Sequence, residues 1–206
     1  MALKTFVKVT NISNLSDARY CAGMGVDLLG FNIDPADDQC VSPELFNEII
    51  GWVAGPQTVG ELGKVSPEIL SHVDQYHLDY LQLNDLSLID SLTEVEVPLI
   101  GKLNIGSEDD WVQLPEVFKS LQGKLELIII TCDNSELHKD LDEQLKRIAP
   151  QTDLKLVKAY DLSESSASDL DVEVFYGIEL SGSQEERPGF NDYGDLMDIL
   201  EVLEED

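Results

Sequence analysis

The sequence predicts an α/β protein, a single-domain (β/α)8 TIM barrel running over residues 1–206. Three observations carry this. Eight short β-rich runs recur at intervals of roughly 20 to 30 residues, the length of a strand–helix unit with short loops. Helix-start signals fall between the runs. The 206 residues, 43% of them apolar, suffice for one sizeable core and fall short of two. The competing arrangement is an open doubly wound sheet. It usually shows a Gly-rich phosphate loop after its first strand, and here that turn reads "TNISN".

In chain order the strand runs are "TFVKVTN", "DLLGFNI", "QTVGELG", "DYLQLND", "PLIGKLNI", "LELIIITCD", "DLKLVKAYDL" and "EVFYGIELSG". Alternation with helices makes a parallel sheet the natural assembly. "SPELFNEIIGWV" opens with Ser42 as N-cap and Pro43 at the first helical position, where a missing N–H costs nothing. "SPEILSHVDQY" repeats the device at Ser66 and Pro67. "SEDDWVQL" places acids in a first turn, where the helix dipole favours them. "NSELHKDLDEQLKRI" sets Leu137, Leu141, Leu145 and Ile148 on one face. "NDYGDLMDILEVL" predicts the closing helix. The seventh connection, "SESSASDLD", is too short and polar to predict one.

Composition narrows the function. The chain carries 41 acidic and 13 basic residues, a formal charge of −28. Such a surface repels nucleic acid and anionic membrane, which are bound by Lys and Arg. No apolar run reaches the roughly 18 residues of a membrane span. The start "MALKTFVKV" is too short and too soon broken by lysines for a signal peptide, so a cytoplasmic setting is expected. Cys21, Cys40 and Cys132 are odd in number and widely spaced, which points to free thiols rather than a disulfide framework or zinc site. No cofactor motif is present and no resident metal is predicted. Clustered Asp and Asn at a barrel mouth would suit an oxygen-ligated cation, but no metal-loop motif accompanies them.

In a barrel, function gathers at the C-terminal ends of the strands. Those ends read Thr10 and Asn11, Asn32 and Asp34, Glu61, Asn84 and Asp85, Asn104, Thr131 and Asp133, Asp161, then Glu179 and Ser181. Lys8 lies two before Thr10 and shares its face. Glu61 shares a face with Val59, inward or outward. Lys102 and Lys158 read as structural or surface lysines, and His72, His77 and His138 as surface residues.

Three stretches resemble the phosphoribosylanthranilate isomerases. They are "VKVTNISNLSDA" at the first strand, "MGVDLLGFNIDPADDQCVSPE" at the second and "GIELSGSQEERPGFND" at the eighth. "YLQLND" matches the family's fourth strand more weakly. The order and spacing hold over nearly the whole chain. The resemblance implies a barrel whose family reaction is the Amadori rearrangement of phosphoribosylanthranilate in tryptophan biosynthesis. It also implies site positions. The first-strand general base, a cysteine in the family, falls at Thr10, and the glycine after it at Asn11. The general acid, an aspartate, falls at Thr131, with Asp133 two residues on. The arginine that meets the anthranilate carboxylate falls at Gln39, the fourth-strand histidine at Asn84, and an eighth-strand aspartate at Glu179. Ser181, Gly182 and Ser183 match the turn that holds the ligand phosphate through backbone amides. The family's glycine-rich seventh loop has no counterpart in "KAYDLSESSASD".

The substitutions fall on the proton-handling positions. The leading expectation is a diverged isomerase relative with reduced or lost activity. One alternative is an active isomerase using Asp133 as acid and Glu61 or Glu179 as base. Another is a non-catalytic module binding a small phosphorylated sugar-type ligand or a protein partner. A monomer and a homodimer are both compatible with the sequence.

Overall fold

The structure, a computed structural model, describes residues 2–64, 71–92, 95–182, 185–187, 190–191 and 194–205. Ser66, Pro67 and Ser183 of the sequence reading lie outside them. Eight parallel strands close into a barrel in chain order: β1 (Phe6–Thr10), β2 (Leu28–Asn32), β3 (Gln57–Leu62), β4 (Tyr80–Leu83), β5 (Leu99–Asn104), β6 (Leu127–Thr131), β7 (Lys155–Lys158) and β8 (Gly177–Ser181). Closure comes from β1 pairing with β8, in a register that sets Lys8 beside Glu179 and Thr10 beside Ser181. Each strand lies within the run that predicts it.

The helices follow from local chemistry. In α1 (Leu15–Met24), the Asn14 side chain caps the Asp17 N–H, and Gly25 ends the helix in the left-handed conformation at φ 82°. Only a residue without a Cβ takes that conformation cheaply. In α2 (Pro43–Ile50), Ser42 caps the Leu45 N–H. Residues 71–73 are helical. A 3-10 helix at Leu86–Ser91 joins β4 to β5. The acidic start of "SEDDWVQL" opens a helix, α3, that runs on to Leu121 (Glu108–Leu121). α4 (His138–Ile148) buries Leu141, Leu145 and Ile148 on the predicted face. The seventh connection does form a helix, α5 (Glu164–Ser168), where no helix was predicted. A reciprocal capping box between Ser163 and Ser166 holds this single polar turn. After β8 comes a two-stranded antiparallel ribbon, β9 (Glu185–Arg187) and β10 (Phe190–Asn191), and then α6 (Gly194–Val202).

Side chains alternate in and out along each strand. The outward set packs against the helices as the main core; Val7, Val9, Phe31, Leu81, Ile128 and Ile130 belong to it. The inward set is split along the barrel axis. Leu28, Val59, Ile100, Leu127, Ile129 and Val157 form an apolar plug, with Phe6 and Tyr80 packed against it. Above the plug, toward the strand C-termini, the inward residues are charged or polar. At the opposite end a cleft of about 480 Å³ is lined by residues including Phe6, Tyr80, Lys155 and Tyr176. There Lys155 is paired with Glu126 and lies 5.0 Å from the Tyr176 ring centroid. The polar set that bears on function sits at the other end.

Candidate active site at the barrel mouth

The alternation that turns Phe6 toward the plug also turns Lys8 and Thr10 inward. Lys8 is fully buried. Its Nζ donates to Glu61 Oε1 at 2.5 Å and to Glu179 Oε2 at 2.6 Å. Lys102, inward on β5, donates to the other Glu179 oxygen, Oε1, at 2.6 Å. Thr10 Oγ1 donates to both oxygens of Glu61, at 2.6 and 2.7 Å. Glu61 and Glu179 are 6% and 5% exposed. Two cations and two carboxylates therefore alternate in a line across the barrel, formally neutral and largely out of water. Such a set survives burial only when each charge is closely paired.

The protonation states follow from this geometry. Burial alone pushes the Lys8 ammonium down, but the charges of Glu179 and Glu61 outweigh it and leave its pKa above the ordinary 10.5. Burial pushes Glu179 up, and Lys8 with Lys102 outweighs it, leaving the carboxyl below its usual 4.5. Both groups are charged at neutral pH. Gly30 makes the space: a Cβ there would lie 2.1 Å from Glu61 Oε1 and 2.9 Å from Lys8 Nζ.

Above this line lies a rim of amides and hydroxyls. Asn11 takes the left-handed conformation at φ 60°, and its Nδ2 donates to Ser181 Oγ at 3.3 Å. Thr131 Oγ1 donates to Asn104 Oδ1 at 3.1 Å, and Asn104 Nδ2 to Asp133 Oδ2 at 3.3 Å. Gln82 is 1% exposed. Its Nε2 donates to Asn84 Oδ1 at 3.1 Å, while its buried Oε1 has no partner among the described residues. Asn32 turns its Oδ1 back to the Asp34 N–H.

The residues that sequence reading selected thus separate into three groups. Lys8, Thr10, Glu61 and Glu179 come together beneath the mouth. Asn11, Asn84, Thr131, Asp133 and Ser181 stand on the rim. Gln39 and Gly182 are described through their backbone amides. Gln39 is exposed in the loop after β2, its N–H on Asp37 Oδ1. The Gly182 N–H donates to Thr10 O at 2.8 Å.

Two lysines read alike in the sequence part company. Lys102 joins the charged line. Lys158 lies on the outward face of β7, where both Asp142 oxygens accept from it at 2.7 and 2.9 Å. It also lies 4.6 Å from the Tyr160 ring centroid. His138, expected at the surface, is tucked in with 15% of its side chain exposed. One ring nitrogen lies 3.0 Å from Cys132 O. Gln82, Asn104 and Gly30 are the participants that sequence reading passed over or left unassigned. Among the described residues no group of three or more His, Cys, Asp or Glu is placed to hold a metal ion, and no helix is long and apolar enough to cross a membrane.

No protein-family model matches the chain, and no curated protein matches it in sequence. Solved structures do match in shape. Phosphoribosylanthranilate isomerase from Thermotoga maritima superposes with a TM-score of 0.73 at 22% identity, covering 97% of this chain and 98% of that one. N-(5'-phosphoribosyl)anthranilate isomerase from Pyrococcus furiosus gives 0.72 at 16% identity, with the same coverage. A phosphoribosylanthranilate isomerase in complex with reduced 1-(o-carboxyphenylamino)-1-deoxyribulose 5-phosphate gives 0.71 at 20% identity, again over 97% and 98%. The chain therefore has the fold of the phosphoribosylanthranilate isomerases, over nearly the full length of both partners in each comparison.

Proposed function

We propose that this chain is a phosphoribosylanthranilate isomerase-like barrel that keeps a small-ligand mouth but has reduced or lost isomerase activity. One observation carries the reading. At the position matching the family's base, the Thr10 hydroxyl donates its proton to a carboxylate that Lys8 already neutralises. An alcohol in that role cannot accept a proton at neutral pH. The position matching the general acid is Thr131, another alcohol, and it donates to Asn104. General acid and general base steps each contribute roughly 10²–10⁴ in rate. Losing both leaves little turnover even if the effects do not multiply fully.

Purified protein is expected to convert phosphoribosylanthranilate no faster than background, and not to rescue a tryptophan auxotroph lacking this step. Thr10→Cys combined with Thr131→Asp is expected to restore measurable turnover. Robust activity of the unaltered chain would overturn the reading.

A second reading has one observation in its favour. Glu61 places both carboxylate oxygens within 2.7 Å of Thr10 Oγ1, beside the position where a base is needed. An active enzyme with Glu61 as base and Asp133 as acid would turn over substrate unaltered, and Glu61→Gln would abolish it.

A further inference from the structure

The rim's hydrogen-bonding character and its charge point to different ligands from those of a phosphate site. Asn104, Thr131 and Ser181 end three strands, and Asn84 follows a fourth, with groups that both donate and accept. Each is at least partly open to solvent. This two-way capacity matches sugar hydroxyls, which also donate and accept. An anion uses donors only.

The charge runs the other way from what an anion needs. Lys8 and Lys102 are held by Glu61 and Glu179, so the line beneath the mouth offers no net positive charge. Asp133 on the rim adds a negative one. The loops after β2 and β7 contribute exposed Asp37, Asp38 and Asp161. A ligand carrying both phosphate and carboxylate would enter a negative field. Within the phosphate-turn match, the Gly182 N–H is taken by Thr10 O.

The floor supplies an independent sign. Gln82 shares the inward face of β4 with Tyr80, and its amide reaches the side chain of Asn84 just beyond the strand. The Oε1 atom is buried and has no partner among the described residues. A buried unpaired acceptor is costly, and a donor arriving in the mouth would relieve it. A ligand hydroxyl can be that donor; a phosphate dianion or a carboxylate cannot.

We infer that the mouth, read above as a small-ligand site, recognises an uncharged polyhydroxylated molecule of monosaccharide size, with Gln82 accepting from one of its hydroxyls. The test is calorimetric titration and thermal shift of the full chain with ribose, ribulose, xylitol and glucose. Ribose 5-phosphate, ribulose 5-phosphate and inorganic phosphate serve as the anionic counterparts. At least one neutral compound is expected to bind and to stabilise the fold, with its phosphate ester at least about tenfold weaker.

Gln82→Met removes the acceptor at similar volume. It is expected to weaken that binding about tenfold while leaving the melting temperature of the free protein unchanged or raised. A purely structural glutamine would give a lower melting temperature instead. A phosphate ester binding more tightly than its parent sugar would overturn the inference. So would absence of neutral binding at millimolar concentration, or a Gln82→Met chain that binds unchanged. None of these outcomes bears on isomerase turnover, which tests the preceding reading separately.

Discussion

Replacing Lys8 by methionine is expected to destabilise the barrel by about 3–5 kcal/mol, the usual result of removing one partner from a buried ion pair. For a chain of this size that corresponds to a fall of roughly 6–20 °C in unfolding midpoint. The stem volume is nearly conserved, so the loss is electrostatic. Lys102 still holds one oxygen of Glu179. Glu61 fares worse, keeping only the Thr10 hydroxyl of the donors described above, and it becomes a buried charge without a counter-ion. Adding Glu61→Gln should therefore recover a substantial part of the loss, a coupling that a double-mutant cycle measures directly.

The pH dependence separates this account from lost packing. The Lys8 pKa is raised in the folded state. Its stabilisation is full below the unfolded value near 10.5 and disappears as pH rises through the still higher folded value. The Glu179 pKa is lowered. Its contribution is present above 4.5 and lost as pH falls through the folded value. The gap between the native chain and Lys8→Met should thus be widest near neutral pH. It should narrow in acid, where Glu179 takes up a proton and its native contribution is lost. It should narrow again in strong alkali, where the native lysine loses its own. Urea unfolding at pH 3, 5 and 7 reads the acid side, and a gap unchanged from pH 5 down to pH 3 would sink the electrostatic account.

The barrel itself was legible because its signals are local. Runs of Val, Ile and Leu bounded by turn residues mark strands wherever they fall, and serine–proline starts mark helices. The parity of a strand is harder. Strands buried on both faces lose the polar–apolar alternation that tells inside from outside. "QTVGEL" and "KLVK" therefore do not reveal that Glu61 points into the barrel while Lys158 points out. Lys8 was readable only through its spacing to Thr10.

The partners of these groups are out of reach of any local pattern. Lys8 meets Glu61 across 53 residues and Glu179 across 171, so closure of the ring is what pairs them. Loop geometry is no easier to read. Gln39 lies exposed with its N–H on Asp37 Oδ1, because Asp and Asn side chains shape turns by bonding nearby backbone. Gln82 lies in the weakly matching "YLQLND" run, and nothing local says that its oxygen is buried. Gly30 did give a local signal: a glycine inside a strand marks a close approach.

That glycine supplies the second large effect. Gly30→Ala is expected to cost about 3 kcal/mol or more, far beyond the usual response to one added methyl group. A Cβ would stand 2.1 Å from Glu61 Oε1, 2.7 Å from its Cδ and 2.9 Å from Lys8 Nζ. The far end of a glutamate normally swings aside at little cost. This one is pinned by the Lys8 ammonium and the Thr10 hydroxyl, so moving it breaks a buried ion pair in addition to the ordinary penalty of overpacking. Gly23 is the control. It lies in α1 with nothing within 4 Å of a would-be Cβ, and Gly23→Ala there should stabilise by roughly 0.5–1 kcal/mol through helix propensity. The same substitution is thus expected to have opposite signs at two sites. In the Gly30→Ala, Glu61→Gln double variant the loss should shrink, since a neutral amide is cheaper to displace. If Gly30→Ala unfolds at the native midpoint, the carboxylate is free to move, and the four charges are not locked together as described.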